Sequence, residues 1–235
     1  MPSGAHALAI MKHMHDIFRE HRGFWTPVRK HSLYLGLLLV VLALIIQVRA
    51  GQYSAHEAVS AGYASDLFLN NLPTFNLTFI LVGGAIAFWV ACCALLALKP
   101  HYLLFGVKAI GLYIIFRAFF ISLTHVGVYP TAINPSAQNI GYGLYHLATF
   151  KGNFFFSGHT GFPFLMALIF WDNTFLRRFF VAATIFFGAS VLLAHVHYSI
   201  DVFAAPFIVY GVFVITAKLF PRDYALFPHA AHSPR

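Results

Sequence analysis

Apolar residues fall into six continuous runs that are separated by short polar segments. The runs cover residues 32–48, 76–98, 102–123, 161–171, 179–194 and 200–219. Runs of about 20 apolar residues are typical of membrane-spanning helices, because lipid leaves backbone groups no partner outside the helix. The fourth run is too short to span alone, so we expect its helix to extend back to Ser157 or on past Asp172. The pattern predicts an all-α polytopic membrane protein, a bundle of six transmembrane helices.

Composition strengthens this prediction. Of the 235 residues, 60% are hydrophobic and only 9% are charged, whereas soluble domains carry about 25% charged residues. So few charges cannot cover a surface that faces water, which argues against a soluble globule, a disordered chain or a disulfide-rich secreted domain. The formal net charge of +8 would suggest a nucleic-acid partner in a soluble protein. Here the basic residues flank apolar runs, so we expect membrane lipids as partners and no nucleic acid.

The distribution of Lys and Arg predicts the orientation. Eleven of them lie on one side of the predicted membrane domain: before the first run, between the second and third runs, between the fourth and fifth runs, and at the end of the sixth run or after it. The opposite loops hold Arg49 and Lys151. Cytoplasmic loops are the ones enriched in Lys and Arg, so both termini are expected in the cytoplasm. Lys108 and Arg117 fall inside the third run. Lys108 is nearer the cytoplasmic side, and we expect its ammonium to reach the head groups there.

The expected organisation has three parts. Residues 1–31 form an amphipathic cytoplasmic segment, residues 32–220 the six-helix membrane domain, and residues 221–235 a cytoplasmic tail. Residues 10–25 mix large apolar side chains with basic ones, which fits a helix lying on the membrane surface. A frayed tail fits the same residues, and both interpretations stay open.

The first candidate for chemistry is the pair His197 and Asp201. Asp201 falls in the first turn of the sixth run, and an ionisable group inside a membrane is a functional candidate by default. Residues four apart share one face of a helix, so the carboxylate can fix the tautomer of His197 and leave its other nitrogen as a nucleophile or base. His195 has Ser199, not a carboxylate, four residues on, and is the weaker candidate. An ordinary ion pair at a helix start is the alternative.

The second candidate is the segment Phe156-Ser157-Gly158-His159-Thr160-Gly161. Ser157 suits the N-cap of a helix and Gly158 permits close approach of the backbone. The start of a helix attracts anions, and His159 would stand beside a bound anion. The predicted topology puts this segment, His197 and Asp201 at the non-cytoplasmic face, with Arg117 just below it. A guanidinium suits phosphate, although Arg117 could also reach the outer head groups.

Together the two segments carry a resemblance. Phe156-Ser157-Gly158-His159-Thr160 followed by Ala194-His195-Val196-His197-Tyr198-Ser199-Ile200-Asp201-Val202 resembles the sphingomyelin synthase family, a branch of the type-2 phosphatidic acid phosphatase superfamily. The similarity runs from Gly152 to about Tyr210, includes Arg177-Arg178, and extends more loosely to Arg117 and Tyr129-Pro130. The first 75 residues show no clear resemblance.

The resemblance implies a phosphotransferase with His159, His197 and Asp201 as catalytic residues. His197 would attack the phosphorus of a glycerophospholipid, Asp201 would orient it, and His159 would protonate the departing diacylglycerol. The phosphocholine or phosphoethanolamine head group would then pass from the phosphohistidine to ceramide or a similar lipid alcohol, on the exoplasmic face. Arg117, Ser157, Gly158 and Asn153 are expected to bind the phosphate. No metal or other cofactor is implied, and a homo-oligomer is compatible with the sequence.

Two departures from the superfamily pattern bear on the reaction. The chain has no Lys-x6-Arg-Pro element, and Val191 stands where the phosphatases carry an Arg six residues before the nucleophile. Fewer cations suit a phosphodiester better than a phosphate monoester. In addition, the sequence reads Gly152-Asn153 where the resemblance leads us to expect an acidic residue, which leaves the choice of head group open. A lipid phosphate phosphatase of the same superfamily is the alternative function, and a non-enzymatic transporter or scaffold is the third.

Overall fold

The computed structural model describes residue 15 and residues 19–133 and 155–227. These residues form helices joined by turns and loops, and no β-strand occurs among them. The principal helices are α1 (Pro27–Glu57), α2 (Ile80–Leu98), α3 (Pro100–Leu123), α4 (Gly158–Ile169), α5 (Thr174–Leu193), α6 (Ser199–Leu219) and the short α7 (Pro221–Tyr224). The all-α prediction is confirmed.

Five of these helices, α1, α2, α3, α5 and α6, are long and apolar enough to cross a membrane, and α4 is shorter. With 12 residues, α4 is roughly 18 Å long, against a hydrocarbon core of about 30 Å. Of the two predicted extensions, the one back to Ser157 is confirmed and the one past Asp172 does not occur. The chain leaves the helix at Phe170, and the side chain of Asn173 then caps α5 by accepting from the amide of Leu176 at 3.0 Å. At the other end, Ser157 is the N-cap, as predicted.

Helix α1 is longer than its apolar run. It begins after the N-cap Thr26 with Pro27, whose fixed backbone angle suits the first helical position, and it continues to Glu57. Its 31 residues measure roughly 46 Å. Arg49, which the sequence places in a loop, is therefore inside the helix. The apolar run marks only the part of α1 that meets hydrocarbon, because the helix continues into polar residues at both ends.

Helix α3 forms the centre of the bundle and packs against α1, α4 and α6. Leu104, Phe105, Ala109 and Tyr113 are almost fully buried on it. By contrast, many large side chains of α1 are exposed, Leu38 among them. Exposed apolar surface on the peripheral helices and a buried central helix are what a bundle surrounded by lipid requires.

Lys108 does not extend to the head groups as expected. Its side chain is 1% exposed, and its Nζ lies 2.5 Å from Oδ2 of Asp223 and 2.6 Å from Oγ of Ser32. Ser32 also donates to Asp223 Oδ1 at 2.8 Å. A buried ammonium is costly without a carboxylate, and Asp223, which follows α6, supplies one. We call this end of the bundle, where α1 and α3 begin and α6 ends, the Lys108 end.

Chain segments on both sides of the predicted membrane domain also pack at the Lys108 end. Residues 221–227, which the sequence assigns to the tail, bury Phe227 against Tyr102, with ring centroids 4.9 Å apart. Residues 19–24 are helical, and Phe24 is 2% exposed beside His101. Most of the predicted amphipathic segment, residues 1–14 and 16–18, lies outside the described residues.

Candidate active site

The two candidate segments meet at the opposite end of the bundle. The amide of Ser157, just before α4, donates to the carbonyl of Asp201, in the first turn of α6, at 3.0 Å. We call the end where α4 and α6 begin and α5 ends the site end. This single backbone bond joins residues 44 positions apart in the sequence, so the starts of the two helices lie side by side.

His197 and Asp201 are in contact and buried. Nδ1 of His197 lies 3.4 Å from Oδ2 of Asp201, and the side chains are 8% and 3% exposed. A catalytic pair of this kind is expected to have a hydrogen bond of about 2.6–3.2 Å between its heavy atoms. The distance between His197 and Asp201 is longer than this. The same Oδ2 also accepts from the amide of Tyr198 at 3.0 Å, so one oxygen is shared between two partners. The carboxylate nevertheless engages Nδ1, which leaves Nε2 as the nitrogen that could attack.

His159 faces His197 across the site. Their ring centroids are 6.3 Å apart and the planes are inclined by 68°. Nε2 of His159 lies 2.9 Å from the carbonyl oxygen of Leu81, in the π-helical first turn of α2. A carbonyl can only accept, so Nε2 carries a hydrogen and Nδ1 is the atom that can exchange a proton. Each of the two histidines is thus oriented by a contact to one of its ring nitrogens, His159 through Nε2 and His197 through Nδ1.

Arg117 reaches the same place from α3. It is 9% exposed, and its Nε donates to the carbonyl of Phe156 at 3.2 Å, directly before the N-cap. A methyl group on Gly158 would lie only 3.3 Å from that Nε, so glycine is what allows the guanidinium to come this close. The amide of Thr160 donates to Ser157 Oγ at 3.4 Å. Asn153, the fourth predicted phosphate ligand, lies outside the described residues.

His195 has a local structural role. At the end of α5 the amide of Val196 donates to the carbonyl of Val191 and that of His195 to Leu192, the pattern of a Schellman motif. His195 occupies its left-handed position with φ 55°, which is uncommon for a residue other than glycine. Its Nδ1 lies beside the hydroxyl of Thr131. This turn reverses the chain and brings His197 to the start of α6.

Sequence reasoning missed Asp66. Its Oδ2 accepts from the amide of Ser199 at 2.7 Å, and its Oδ1 accepts from the amides of Phe68 and Leu69 at 2.9 and 3.1 Å. Burial alone would raise the pKa of Asp66, but these hydrogen bonds outweigh burial and lower it, so the carboxylate is charged at neutral pH. One signal was available, since Asp66 is the only acidic residue between Glu57 and the second apolar run.

Two openings adjoin these side chains. A cavity of about 390 Å³ lies between the loops at the site end, lined by Asp66, Asp201 and Tyr198 among others. A much smaller crevice of about 10 Å³ reaches His159, and its other walls are apolar and include Trp89. Within residues 19–133 and 155–227, no three His, Cys, Asp or Glu side chains are grouped as ligands for a metal ion.

A comparison with known protein families gives a match in the last part of the chain. Residues 152–218 match the family model described as PAP2 superfamily C-terminal. The match spans α4, α5 and α6 and therefore contains His159, His197 and Asp201, but neither Arg117 nor Asp66. No curated protein and no solved structure gives a significant match. Residues 152–218 are therefore similar to the C-terminal part of the type-2 phosphatidic acid phosphatase superfamily, whose members act on phosphate groups. The five long apolar helices are compatible with a polytopic membrane protein.

Proposed function

We propose that this protein is a lipid phosphotransferase of the sphingomyelin synthase type. It moves a phosphocholine or phosphoethanolamine head group from a glycerophospholipid to ceramide or a similar lipid alcohol. The observation that carries the proposal is the facing pair His159 and His197, with ring centroids 6.3 Å apart. One ring is held by a carboxylate at Nδ1 and the other by a carbonyl at Nε2. Two histidines with different partners suit a nucleophile and an acid–base group in one reaction.

In the first step Nε2 of His197 attacks the phosphorus of the donor lipid. A nitrogen–phosphorus bond forms, the bond from phosphorus to the glycerol oxygen breaks, and that oxygen takes a proton from Nδ1 of His159. The carboxylate of Asp201 stabilises the positive charge on the His197 ring. The side chains that adjoin His159 on this side, Phe88 and Trp89 among them, are apolar.

In the second step the hydroxyl of the lipid alcohol attacks the phosphohistidine. Nδ1 of His159 removes the hydroxyl proton, the nitrogen–phosphorus bond breaks, and the product lipid carries the head group. Arg117 stabilises the phosphoryl oxygens, because a guanidinium donates two parallel hydrogen bonds to such an anion. The amides at the start of α4 add a second source of positive potential.

A hydrolase of the same superfamily would use the same phosphohistidine with water as the acceptor. The sequence favours a diester substrate over a monoester dianion, because Val191 occupies the position of a phosphatase arginine. Val191 is fully buried in an apolar cluster with Leu192 and Val202. A phosphodiester carries one negative charge, which Arg117 can neutralise.

The test uses purified protein in lipid nanodiscs with phosphatidylcholine or phosphatidylethanolamine labelled in the head group. We expect labelled sphingolipid to form when ceramide is added, and to be absent in His197→Ala and His159→Ala. His56→Ala is the matched control, since His56 is exposed and pairs only with neighbouring Glu57 among its ionic contacts. Release of water-soluble label at the same rate with and without ceramide would show a hydrolase instead.

The orientation is part of the same proposal. We place both termini in the cytoplasm and the site end on the exoplasmic face, because eleven Lys and Arg residues flank the opposite side. Glu57, at the site end of α1, offers a position for a test. A cysteine introduced there in a Cys92→Ala, Cys93→Ala background is expected to react with a membrane-impermeant maleimide from outside intact cells. Reaction only after the membrane is opened would reverse the orientation.

A further inference from the structure

The first turn of α6 is capped only in part by its own sequence, by the side chain of Asp201, which accepts from the amide of the N-cap residue Tyr198. The N-cap residue is Tyr198, whose side chain makes no capping hydrogen bond to the helix. The first amides of a helix need acceptors from elsewhere. Asp201 serves the preceding amide, that of Tyr198, and faces His197 with the same oxygen. The amide of Ser199 therefore has to be satisfied by a different group.

That group is Asp66, which lies 133 residues away in the sequence. Its Oδ2 accepts from the Ser199 amide at 2.7 Å. The carboxylate is itself fixed, because its other oxygen accepts from Phe68 and Leu69 and the residue is 7% exposed. A charged acceptor held from two sides makes a strong hydrogen bond to a backbone amide.

We infer that Asp66 is a positioning residue that holds the first turn of α6 so that Asp201 stays against His197. The inference rests on the proposed function and deepens it. Without Asp66, the uncapped Ser199 amide lies two residues before Asp201, the nearest carboxylate in the chain. Asp201 would then be drawn toward this amide, and its contact with Nδ1 of His197, already 3.4 Å long, would open.

The same loop that carries Asp66 is tied to the turn containing His197. The hydroxyl of Tyr198 donates to the carbonyl of Gly127 at 2.7 Å and accepts from the amide of Ala64 at 3.2 Å. These bonds remain when Asp66 is replaced. Loss of Asp66 is therefore expected to change the geometry of the dyad and leave the surrounding fold in place.

The test compares Asp66→Ala, Asp66→Asn and Ser199→Pro with wild type. Proline has no amide hydrogen, is favoured at the first helical position, and accepts the extended backbone of the preceding Tyr198. Ser199→Pro therefore removes both donors of Ser199 to Asp66, its amide and its hydroxyl, while Asp66→Ala removes the acceptor. Glu57→Ala is the matched control, because it deletes a carboxylate at the same end of the bundle whose ion pair among the described residues is with the exposed His56.

We expect kcat to fall by roughly 100-fold in Asp66→Ala, the order of loss for a catalytic group misplaced by about 1 Å, with KM little changed. Asp66→Asn keeps an acceptor and should recover much of this loss. Ser199→Pro should resemble Asp66→Ala, and the double variant should be no worse than either single variant, because both remove one interaction. The rate of phosphohistidine formation should fall with kcat.

Wild-type kcat in Asp66→Ala and Ser199→Pro, or losses that multiply in the double variant, would overturn the inference. If Asp66→Ala does not fold, the values of kcat for Ser199→Pro and Asp66→Asn are sufficient to test the positioning role of Asp66. A different result would contradict the proposed function, namely continued transfer of the head group by the His197→Ala variant. An inactive His197→Ala together with an unaffected Asp66→Ala would leave the function standing and remove only the role of Asp66.

Discussion

The two ends of the bundle each bury a cation from α3, and they treat it differently. At the Lys108 end, the ammonium meets the carboxylate of Asp223 at 2.5 Å and the hydroxyl of Ser32 at 2.6 Å. At the site end, the guanidinium of Arg117 donates to the carbonyl of Phe156, which bears no formal charge. The carboxylate of Asp223 cancels the charge of Lys108, and the carbonyl of Phe156 fixes the direction of the Arg117 guanidinium.

This difference teaches that a buried charge in a membrane helix does not by itself mark a catalytic site. Burial of either cation costs free energy. The residues that neighbour them in the sequence do not indicate which of the two cations belongs to a catalytic site. What distinguishes Arg117 is its neighbourhood, the start of α4 and the ring of His159. We therefore expect changes at the Lys108 end to act on stability, and changes at the site end to act on turnover.

The largest effect is expected from His197→Ala. Its loss removes the covalent route, so transfer should fall by more than the ~10²–10⁴-fold that general acid–base catalysis typically contributes. His159→Ala should cost less on a phospholipid analogue that releases a nitrophenolate, because this leaving group needs almost no protonation. Release of nitrophenolate by each variant measures the difference. Recovery in His197→Ala and not in His159→Ala would exchange the two roles.

The second-largest effect is expected at the Lys108 end, where Lys108→Ala should lower the free energy of unfolding. Lys108→Ala leaves Asp223 buried without its cation, and removal of one partner from a buried ion pair costs about 3–5 kcal/mol. The double variant Lys108→Met, Asp223→Leu removes both charges and should lie much closer to wild type. Thermal unfolding in detergent checks both. Turnover at a temperature where Lys108→Ala is still folded should match wild type, and a selective loss of turnover would place Lys108 in the site.

We expect Arg117→Lys to lower activity measurably, but by less than His197→Ala. A hydrogen bond to a charged group contributes about 1.5–3 kcal/mol, so losing one of two parallel bonds should lower kcat/KM by roughly 10- to 100-fold. The reverse exchange, Lys108→Arg, is the matched control, and it should affect unfolding more than kcat/KM. Full activity of Arg117→Lys would show that Arg117 reaches head groups and does not bind substrate.

The smallest effect is expected from Gly158→Ala. The added methyl would lie 3.3 Å from Arg117 Nε, so the guanidinium must move by a few tenths of an ångström. We expect a few-fold loss of kcat/KM, since a displacement near 1 Å costs about 100-fold. Gly83→Ala is a suitable control, because its methyl would meet nothing closer than 3.8 Å. Equal losses in both variants would contradict a specific role for the close approach.

Much of the fold could be predicted because the constraint is local. A continuous apolar run must be helical in lipid, and the six runs correspond to α1 through α6. The sequence could not show where α1 ends, since a helix can continue into polar residues up to Glu57. It also left open the direction in which α4 extends beyond its apolar run. The helix extends back to the N-cap Ser157 and stops at Ile169, because the following residues form a turn and cap α5.

In the candidate site, too, contacts between residues close in the sequence could be predicted, and contacts between distant residues could not. The pairing of His197 with Asp201 follows from a spacing of four residues, and the N-cap at Ser157 follows from its own sequence. Lys108 with Asp223 and Asp66 with Ser199 join residues 115 and 133 positions apart. No periodicity connects such positions, so only the packed bundle brings them together. Asp66 was missed for this reason and not because its chemistry is unusual.

The central claim is that His197 forms a covalent bond to phosphorus, and trapping that bond tests it most directly. His159→Ala, incubated with a nitrophenyl phosphodiester analogue labelled in its head group, should accumulate label on the protein. The label should be stable to alkali and lost in mild acid, and mass spectrometry should place it on His197. His197→Ala and the His159, His197 double variant should remain unlabelled. Label elsewhere, or nitrophenolate release by His159→Ala without any labelled protein, would contradict the account.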